Sequence, residues 1–147
     1  MKLENKDWSF RVFGDINYRG PCPKEDIEQI DFFSWLAFNH PDYAALAIHP
    51  KNEGKRTYQQ VTRETMLGSI NTGASDVIIP AGLGFVCEIK RRDHTKSRWQ
   101  KGQPEFLTRA SKAGAFSCVA LGCQGAKEAF LNYLNTIKNR KKQNERH

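Results

Sequence analysis

Three ionisable side chains, Asp76, Glu88 and Lys90, lie in two short apolar segments of the chain. Asp76 begins the segment DVIIP, and the other two residues end the segment GFVCEIK. Successive side chains of a β-strand point to opposite faces, so Glu88 and Lys90 share one face and Ile89 takes the other. If the two segments are neighbouring strands, we expect the three charged groups to converge. Two carboxylates beside one ammonium are costly to bury for stability alone, which favours a functional site.

The chemistry that these residue types suit is phosphodiester hydrolysis. Mg2+ and Mn2+ prefer oxygen ligands, and a Mg2+ site commonly combines one or two carboxylates with waters and a phosphate. Asp76 and Glu88 can supply two ligands, with the backbone carbonyl of Ile89 as a third. Lys90 can then lower the pKa of an attacking water or neutralise charge on the phosphate. An ordinary salt bridge between Glu88 and Lys90 is the alternative, but it leaves the upstream aspartate unexplained.

The charge of the chain favours a polyanionic partner. The formal net charge is +7 over 147 residues, as is typical of nucleic-acid-binding proteins. One basic run, KRRDHTKSR, directly follows the candidate carboxylates. We expect four side chains of this run to bind the phosphates of a DNA backbone: Arg91, Arg92, Lys96 and Arg98. The second basic run lies in the tail, residues 138–147, where a solvated helix end is the simplest interpretation.

Several classes of protein are disfavoured by the composition. No apolar run approaches the roughly 20 residues that span a bilayer, and the start, MKLENKDW, lacks an apolar signal segment. We therefore expect a cytoplasmic protein without a membrane partner. The four cysteines have no CxxC pair, which favours free thiols over a zinc site or disulfides. The sequence GLG lacks the rest of a dinucleotide fingerprint, so no nucleotide cofactor is expected.

The elements that must position the site follow an α/β pattern, for which we expect a central mixed β-sheet flanked by helices. Hydrophobic spacing and helix-end signals predict helix, strand, helix, strand, strand, helix, strand and helix. These correspond to residues 23–38, 44–50, 57–67, 76–80, 84–90, 104–113, 115–121 and 125–137. Residues 8–13 are either a short strand or part of an arm. The prediction is one domain over 1–147, with an N-terminal arm 1–22, a core 23–137 and a basic tail 138–147.

With these elements in order, DVIIPAGLGFVCEIK resembles the signature of the PD-(D/E)xK nucleases. Residues 23–134 further resemble the virus-type replication-repair nuclease family (VRR-NUC), especially its small stand-alone phage members. GASDVIIP matches the aspartate strand, CEIKR the second motif and AGAFSCVALG the next strand. HPKNEGKR stands where the family has a proline-asparagine-glycine loop. The resemblance implies a restriction-endonuclease-like core.

The resemblance also implies further site residues. In the family, an N-terminal helix carries Glu and Gln four residues apart, which matches Glu25 and Gln29, with Glu28 as a possible substitute for Glu25. A glutamine that opens the helix after the ExK strand matches Gln103, and Gln100 is the competing choice. Glu25 and Gln103 would then complete the surroundings of the metal and the lysine.

The resemblance implies metal-dependent cleavage of DNA, with resolution of four-way (Holliday) junctions as the favoured task. A chain with one site must form a homodimer to cut two strands symmetrically. Flap or nonspecific DNA cleavage remains an alternative. A second alternative, from another functional class, is a non-catalytic basic nucleic-acid-binding module on a nuclease-like fold. Retention of Asp76, Glu88 and Lys90 together favours the enzyme.

Overall fold

The computed structural model describes residues 1–50, 57–68 and 71–146 as one α/β unit. Four strands form one sheet in the order β1-β4-β3-β2, in which β1, β4 and β3 run parallel and β2 is antiparallel to β3. The strands are β1 (Arg11–Phe13), β2 (Val77–Ile79), β3 (Phe85–Lys90) and β4 (Phe116–Leu121). The helices are α1 (Glu25–Asn39), α2 (Pro41–Ala44), α3 (Tyr58–Met66), α4 (Gln103–Lys112) and α5 (Gly122–Glu145). The predicted mixed sheet flanked by helices is confirmed.

The two central strands, β3 and β4, are buried along their whole length. Strands covered on both faces consist of continuous apolar runs rather than alternating ones, and FVCEIK and FSCVAL fit that rule. Their parallel register runs from Phe85 opposite Phe116 to Lys90 opposite Leu121. Lys90 therefore lies at the carboxyl end of a central strand, where parallel α/β sheets commonly bind ligands.

Helices cover both faces of the sheet. On one face, α1 and α5 pack against the larger core, which includes Phe32, Ile89 and Phe130. On the other face, α4 packs through Leu107 against Val86 and Val119. Glu88 and Lys90 have the same parity as Val86, so they point toward the face that α4 covers. The site therefore has α4 above it, and the start of α1 approaches the same strand end from the other face.

Two segments of the chain either differ from the sequence-based expectation or resolve an alternative that it left open. The predicted strand over residues 44–50 is wrong, because Pro41 begins the short helix α2 and only Ile48 pairs, through one isolated bridge to Ile78. Proline suits the first turn of a helix, since its missing N–H has no acceptor there. Residues 11–13 form the edge strand β1 on β4.

Helices α1, α3 and α4 agree with the prediction, and α5 is longer than predicted at both ends. A capping box between Thr57 and Gln60 starts α3, within the predicted helix 57–67. Helix α5 begins at Gly122 and continues to Glu145, so most of the basic tail is helical. Residues 51–56 of HPKNEGKR, the stretch matched to the family's proline-asparagine-glycine loop, lie outside the described residues. Within the described chain, no helix is both long and apolar enough to cross a membrane.

Candidate active site

The carboxylate of Asp76 is fixed against the end of β3. Asp76 directly precedes β2, and its Oδ2 accepts a hydrogen bond of 2.8 Å from the backbone N–H of Ile89. The last residue pair between β2 and β3 is Val77 with Cys87. Beyond that pair, the side chain of Asp76, rather than a backbone carbonyl, accepts the hydrogen bond from β3. The N–H and C=O of one strand residue point toward the same neighbour. The carbonyl of Ile89 therefore points toward the side where Asp76 lies.

Glu88 is the second carboxylate, and it is 2% exposed. Its Oε1 accepts a hydrogen bond of 2.9 Å from Nε2 of Gln103. Its Oε2 is buried and receives no hydrogen bond from the described residues, while the side chain faces the carboxylate of Asp76. A buried carboxylate oxygen without a donor is costly unless a proton or a cation lies beside it.

Burial raises the pKa of three carboxyl groups at this point, those of Glu25, Asp76 and Glu88. The pKa of Glu88 is raised well above its usual range, first by desolvation and then by the charge of Asp76. Desolvation also raises the pKa of Asp76, against hydrogen bonds from Glu88 and from Ile89 N–H that lower it. Desolvation likewise raises the pKa of Glu25, although the ammonium of Lys90 opposes this. Without a cation, the Asp76–Glu88 pair therefore retains a proton to a higher pH than ordinary carboxyl groups do.

The ammonium of Lys90 is enclosed, with the residue 1% exposed. Its Nζ donates to the carbonyl of Arg98 at 2.9 Å and to Oε1 of Gln103 at 2.8 Å. It also lies 3.4 Å from Glu25 Oε1 and 3.8 Å from Glu88 Oε1. The ring of Trp99 is 5.5 Å from Nζ, within cation–π range. These contacts fix the position of the lysine charge beside both predicted metal ligands.

Of the two glutamine candidates, Gln103 is the one whose side chain reaches Glu88 and Lys90. It is the first residue of α4, and its amide donates to Glu88 while its carbonyl accepts from Lys90. The same carbonyl accepts from the backbone N–H of Gln100 at 2.9 Å. Gln100 lines the adjoining cavity, but its contact with Gln103 is through the main chain.

Glu25 and Glu28 lie on α1 and point to different partners. Glu25 contacts Lys90 and lines the cavity. Glu28 is buried. Its carboxylate faces the backbone N–H of Cys123, at the start of α5, and that of Arg92, in the loop after β3. Burial raises the pKa of Glu28, and these two N–H groups partly offset the increase. Glu28 is therefore positioned to stabilise the N-terminus of α5, where negative charge is favourable.

A cavity of about 820 Å³ adjoins the charged groups. Asp76, Glu88 and Lys90 line it at the end of β3, and the starts of α1 and α4 form two of its sides. Its remaining lining includes Gln29, His49, Pro50 and residues 72–74. The structure thus brings together Glu25, Asp76, Glu88, Lys90 and Gln103 at one opening, in the arrangement that the sequence predicts.

The basic run after β3 has partners within the chain. Arg91 donates from Nε and Nη2 to the carbonyls of Pro23 and Cys22 at 2.9 and 2.7 Å. The guanidinium of Arg92 lies 3.8 Å from the centre of the Tyr18 ring. The ammonium of Lys96 donates to the carbonyl of Gly20 at 2.8 Å. Three of the four cations predicted to bind DNA therefore contact the segment 18–23. Arg92 and Lys96 are nevertheless exposed, as is Arg98.

Further contacts tie the N-terminal residues to the same loop. Asp93 accepts from the N–H of Gly20 at 3.0 Å. The hydroxyl of Thr95 and the N–H of Gly20 hold the pKa of Asp93 at about 2. Both ring nitrogens of His94 lie 3.1 Å from backbone carbonyls, those of Met1 and Ile16. The loop after β3 therefore packs the first part of the chain against the site.

Sequence reasoning missed several residues of the cavity, three of which are His49, Lys24 and Lys101. His49 lies beside Asp76, with Nδ1 2.7 Å from the Asp76 carbonyl, and this nitrogen is the donor because a carbonyl only accepts. Lys24 and Lys101 line the cavity from the starts of α1 and α4. Their one signal in the sequence is that each closely precedes a predicted site residue, Glu25 or Gln103.

The potential metal ligands at this opening are of the kind that binds a hard cation. In residues 1–50, 57–68 and 71–146, no group of three or more His, Cys, Asp and Glu side chains is arranged to hold a metal ion. Most side chains at this opening that could be ligands are carboxylates, with His49 as an imidazole beside them. Carboxylates together with backbone oxygen and water suit Mg2+ or Mn2+ rather than a structural zinc.

Comparison with known proteins identifies a structural relative. No family model matches this chain, and no curated protein matches it. Among solved structures, a VRR_NUC domain protein matches with a TM-score of 0.62 at 20% sequence identity, over 78% of this chain and 91% of that chain. At this identity the likeness establishes the fold, which is VRR-NUC-like.

Proposed function

We propose that this chain is a metal-dependent DNA endonuclease. The observation that carries the proposal is the convergence of Asp76, Glu88 and Lys90 at one cavity, with Glu88 Oε2 buried and without a donor among the described residues. A buried carboxylate oxygen without a donor is costly to a fold. Here it belongs to a side chain that faces a second carboxylate, that of Asp76, which favours a cation between the two. The VRR-NUC-like fold gives independent support.

The carboxylates of Asp76 and Glu88, with the carbonyl of Ile89, would hold Mg2+ or Mn2+. When bound, such an ion polarises the phosphate and lowers the pKa of coordinated water. The protein supplies the fixed positions, since Asp76 is anchored by Ile89 N–H and Glu88 by the amide of Gln103. The raised pKa values of both carboxyl groups mean that binding of the cation displaces a proton.

Lys90 would orient the attacking water and stabilise negative charge on the phosphate. Its hydrogen bonds to Arg98 O and to Gln103 Oε1 hold the ammonium in one place. A charge that needs no reorganisation during the reaction stabilises a transition state more than a mobile one. Glu25 contacts the same ammonium from α1 and lies at the cavity opening.

The substrate that we propose is branched DNA, with the four-way junction as the preferred form. One site per chain cuts one strand, so paired symmetric cuts require a homodimer whose two-fold axis matches that of the junction. The Mg2+- or Mn2+-dependent activity, the preference for junctions and the dimer belong to this proposal together.

The test is cleavage of a labelled four-way junction beside linear duplex, flap and single-stranded DNA, with Mg2+, Mn2+ or EDTA. The wild type is compared with Lys90→Ala and with Asp76→Asn, whose carbonyl can still accept from Ile89 N–H. We expect paired nicks on the junction that EDTA and both substitutions reduce by at least about 10²-fold. Circular dichroism of each variant checks that it has folded.

The outcomes separate the alternatives. Cleavage by folded Asp76→Asn at the wild-type rate contradicts the proposed site. Cleavage of flap or linear DNA at equal rates contradicts the junction preference but retains the nuclease. Tight binding of DNA without cleavage under any metal condition indicates the non-catalytic binding module.

A further inference from the structure

The cavity has a lysine on each of two sides. Lys24 is the residue before α1, and Lys101 lies two residues before α4. Helix α1 packs on one face of the sheet and α4 on the other. The two lysines therefore approach the end of β3 from opposite faces, with Asp76, Glu88 and Lys90 between them.

The lining of the cavity contains nearly equal numbers of acidic and basic side chains, and Lys24 and Lys101 are two of the basic ones. Four carboxylates, those of Glu25, Asp26, Asp76 and Glu88, accompany the three lysines. One of those lysines, Lys90, is 1% exposed and donates to protein acceptors. Without Lys24 and Lys101, a DNA backbone that enters this cavity would therefore meet a strongly acidic lining.

Lys24 and Lys101 are available for such contacts. Both are exposed, and neither ammonium forms a hydrogen bond or an ion pair with the residues that the structure describes. The basic run differs, since Arg91, Arg92 and Lys96 contact the segment 18–23. Use of those three side chains on DNA would require them to leave their present partners.

We propose that Lys24 and Lys101 contact the phosphates on either side of the cleaved bond. The proposal rests on the proposed DNA endonuclease function and names the residues that hold the substrate across its active site. Two contacts from opposite sides of the cleft fix the direction in which a strand crosses the carboxylates. Such contacts bind DNA without reading its sequence, as cleavage directed by structure requires.

The experiment measures DNA binding as a function of salt. Lys24→Gln, Lys101→Gln and the double substitution are compared by fluorescence anisotropy on a labelled four-way junction and a duplex, in EDTA. All proteins carry Asp76→Asn, so that no cleavage interferes. The matched control is Lys112→Gln, an exposed lysine at the far end of α4. Arg92→Gln and Lys96→Gln are measured beside them.

We expect the slope of log K against log salt concentration to fall by about 0.9 for each cavity lysine and by about twice that for the double substitution. The control should leave the slope unchanged. Slopes equal to that of the parent in both lysine variants overturn the proposal, as does a loss confined to Arg92→Gln and Lys96→Gln. Wild-type cleavage, measured separately, distinguishes these outcomes from failure of the endonuclease function. If the parent protein binds no DNA, the proposed lysine contacts are overturned, and wild-type cleavage alone decides the endonuclease function.

Discussion

At the level of single residues, the amide of Gln103 connects the two charges of the ExK motif. Its Nε2 donates to Glu88 and its Oε1 accepts from Lys90, which are two charge-assisted hydrogen bonds from one neutral side chain. A carboxylate at this position would repel Glu88, and a short side chain would leave both groups without this partner. The amide thus holds a carboxylate and an ammonium in fixed positions without adding charge.

We predict that Gln103→Ala lowers cleavage by about 10- to 100-fold, as is usual for residues that orient metal ligands. It should also weaken binding of Mn2+, which electron paramagnetic resonance measures independently of activity. Gln100→Ala is the matched control, because its backbone N–H, rather than its side chain, contacts Gln103. Equal losses in both variants would contradict the assignment of Gln103 over Gln100.

The paired carboxylates predict a dependence of stability on pH in the absence of metal. Because the pKa values of Asp76 and Glu88 are raised in the folded protein, that protein binds protons more tightly than the unfolded chain. Stability therefore falls as pH increases above the ordinary carboxyl values of 3.8 and 4.5. The decrease ends once pH has passed the raised values.

We predict that Asp76→Asn stabilises the protein in EDTA, because it removes one of two buried like charges. The gain should be of order 1 kcal/mol near pH 8, or roughly 3 °C in Tm, and should vanish near pH 4. Thermal denaturation followed by circular dichroism at several pH values measures it. A gain that is constant with pH, or a loss at pH 8, would refute repulsion between the carboxylates.

At the level of elements, the start of α1 depends on the loop after β3. Arg91 binds the carbonyls of Cys22 and Pro23, directly before the helix that carries Glu25. Glu28, one turn further on, lies against the start of α5. A Cβ atom on Gly122 would collide with the Glu28 carboxylate, and the φ of Gly122 is +75°, a conformation that favours glycine. Helix α1 is thus fixed at the site by residues outside the candidate catalytic group.

This placement predicts opposite effects for the two glutamates of α1. Glu28→Ala should lower stability by about 1 to 2 kcal/mol, as loss of a helix cap does. Glu25→Ala should change stability by less than about 0.5 kcal/mol and lower cleavage by about 10- to 100-fold. Urea denaturation and junction cleavage, measured on both variants, give the comparison. The reverse pattern would assign the active-site role to Glu28.

At the level of the whole molecule, the described residues place the candidate catalytic side chains at one cavity, and the chain has a net charge of +7. The proposed symmetric cleavage needs two such cavities at a fixed separation. A non-catalytic binding module has no such requirement. The state of association in solution therefore bears directly on the choice between the two functions.

We predict a particle of twice the 16.8 kDa chain mass at micromolar concentration, because paired cuts require two sites in one complex. Light scattering coupled to size-exclusion chromatography, with and without a four-way junction, measures it. A dimer that forms on the junction alone still satisfies the requirement. A monomer in both conditions would contradict junction resolution while leaving single-strand cleavage possible.

The sequence by itself determined the strands of the site and the grouping of its charges. Alternation places Glu88 and Lys90 on one face, and the order of apolar segments makes β2 and β3 neighbours, so Asp76 arrives beside them. These features are local, because they depend on residues that are close in the chain. The choice of Gln103 over Gln100 and the different directions of Glu25 and Glu28 required the structure, since each depends on where a helix starts relative to a distant strand.

The tertiary structure alone decided which cations face the cavity. In the sequence, Arg91, Arg92 and Lys96 adjoin the carboxylates, whereas Lys24 is separated from them by more than fifty residues. Folding brings the segment 18–23 against the basic run, whose side chains then bind its carbonyls and its tyrosine ring. The same packing places Lys24 at the opening. Long-range contacts of this kind arise from the burial of surfaces far apart in the chain, and charge patterning does not record them.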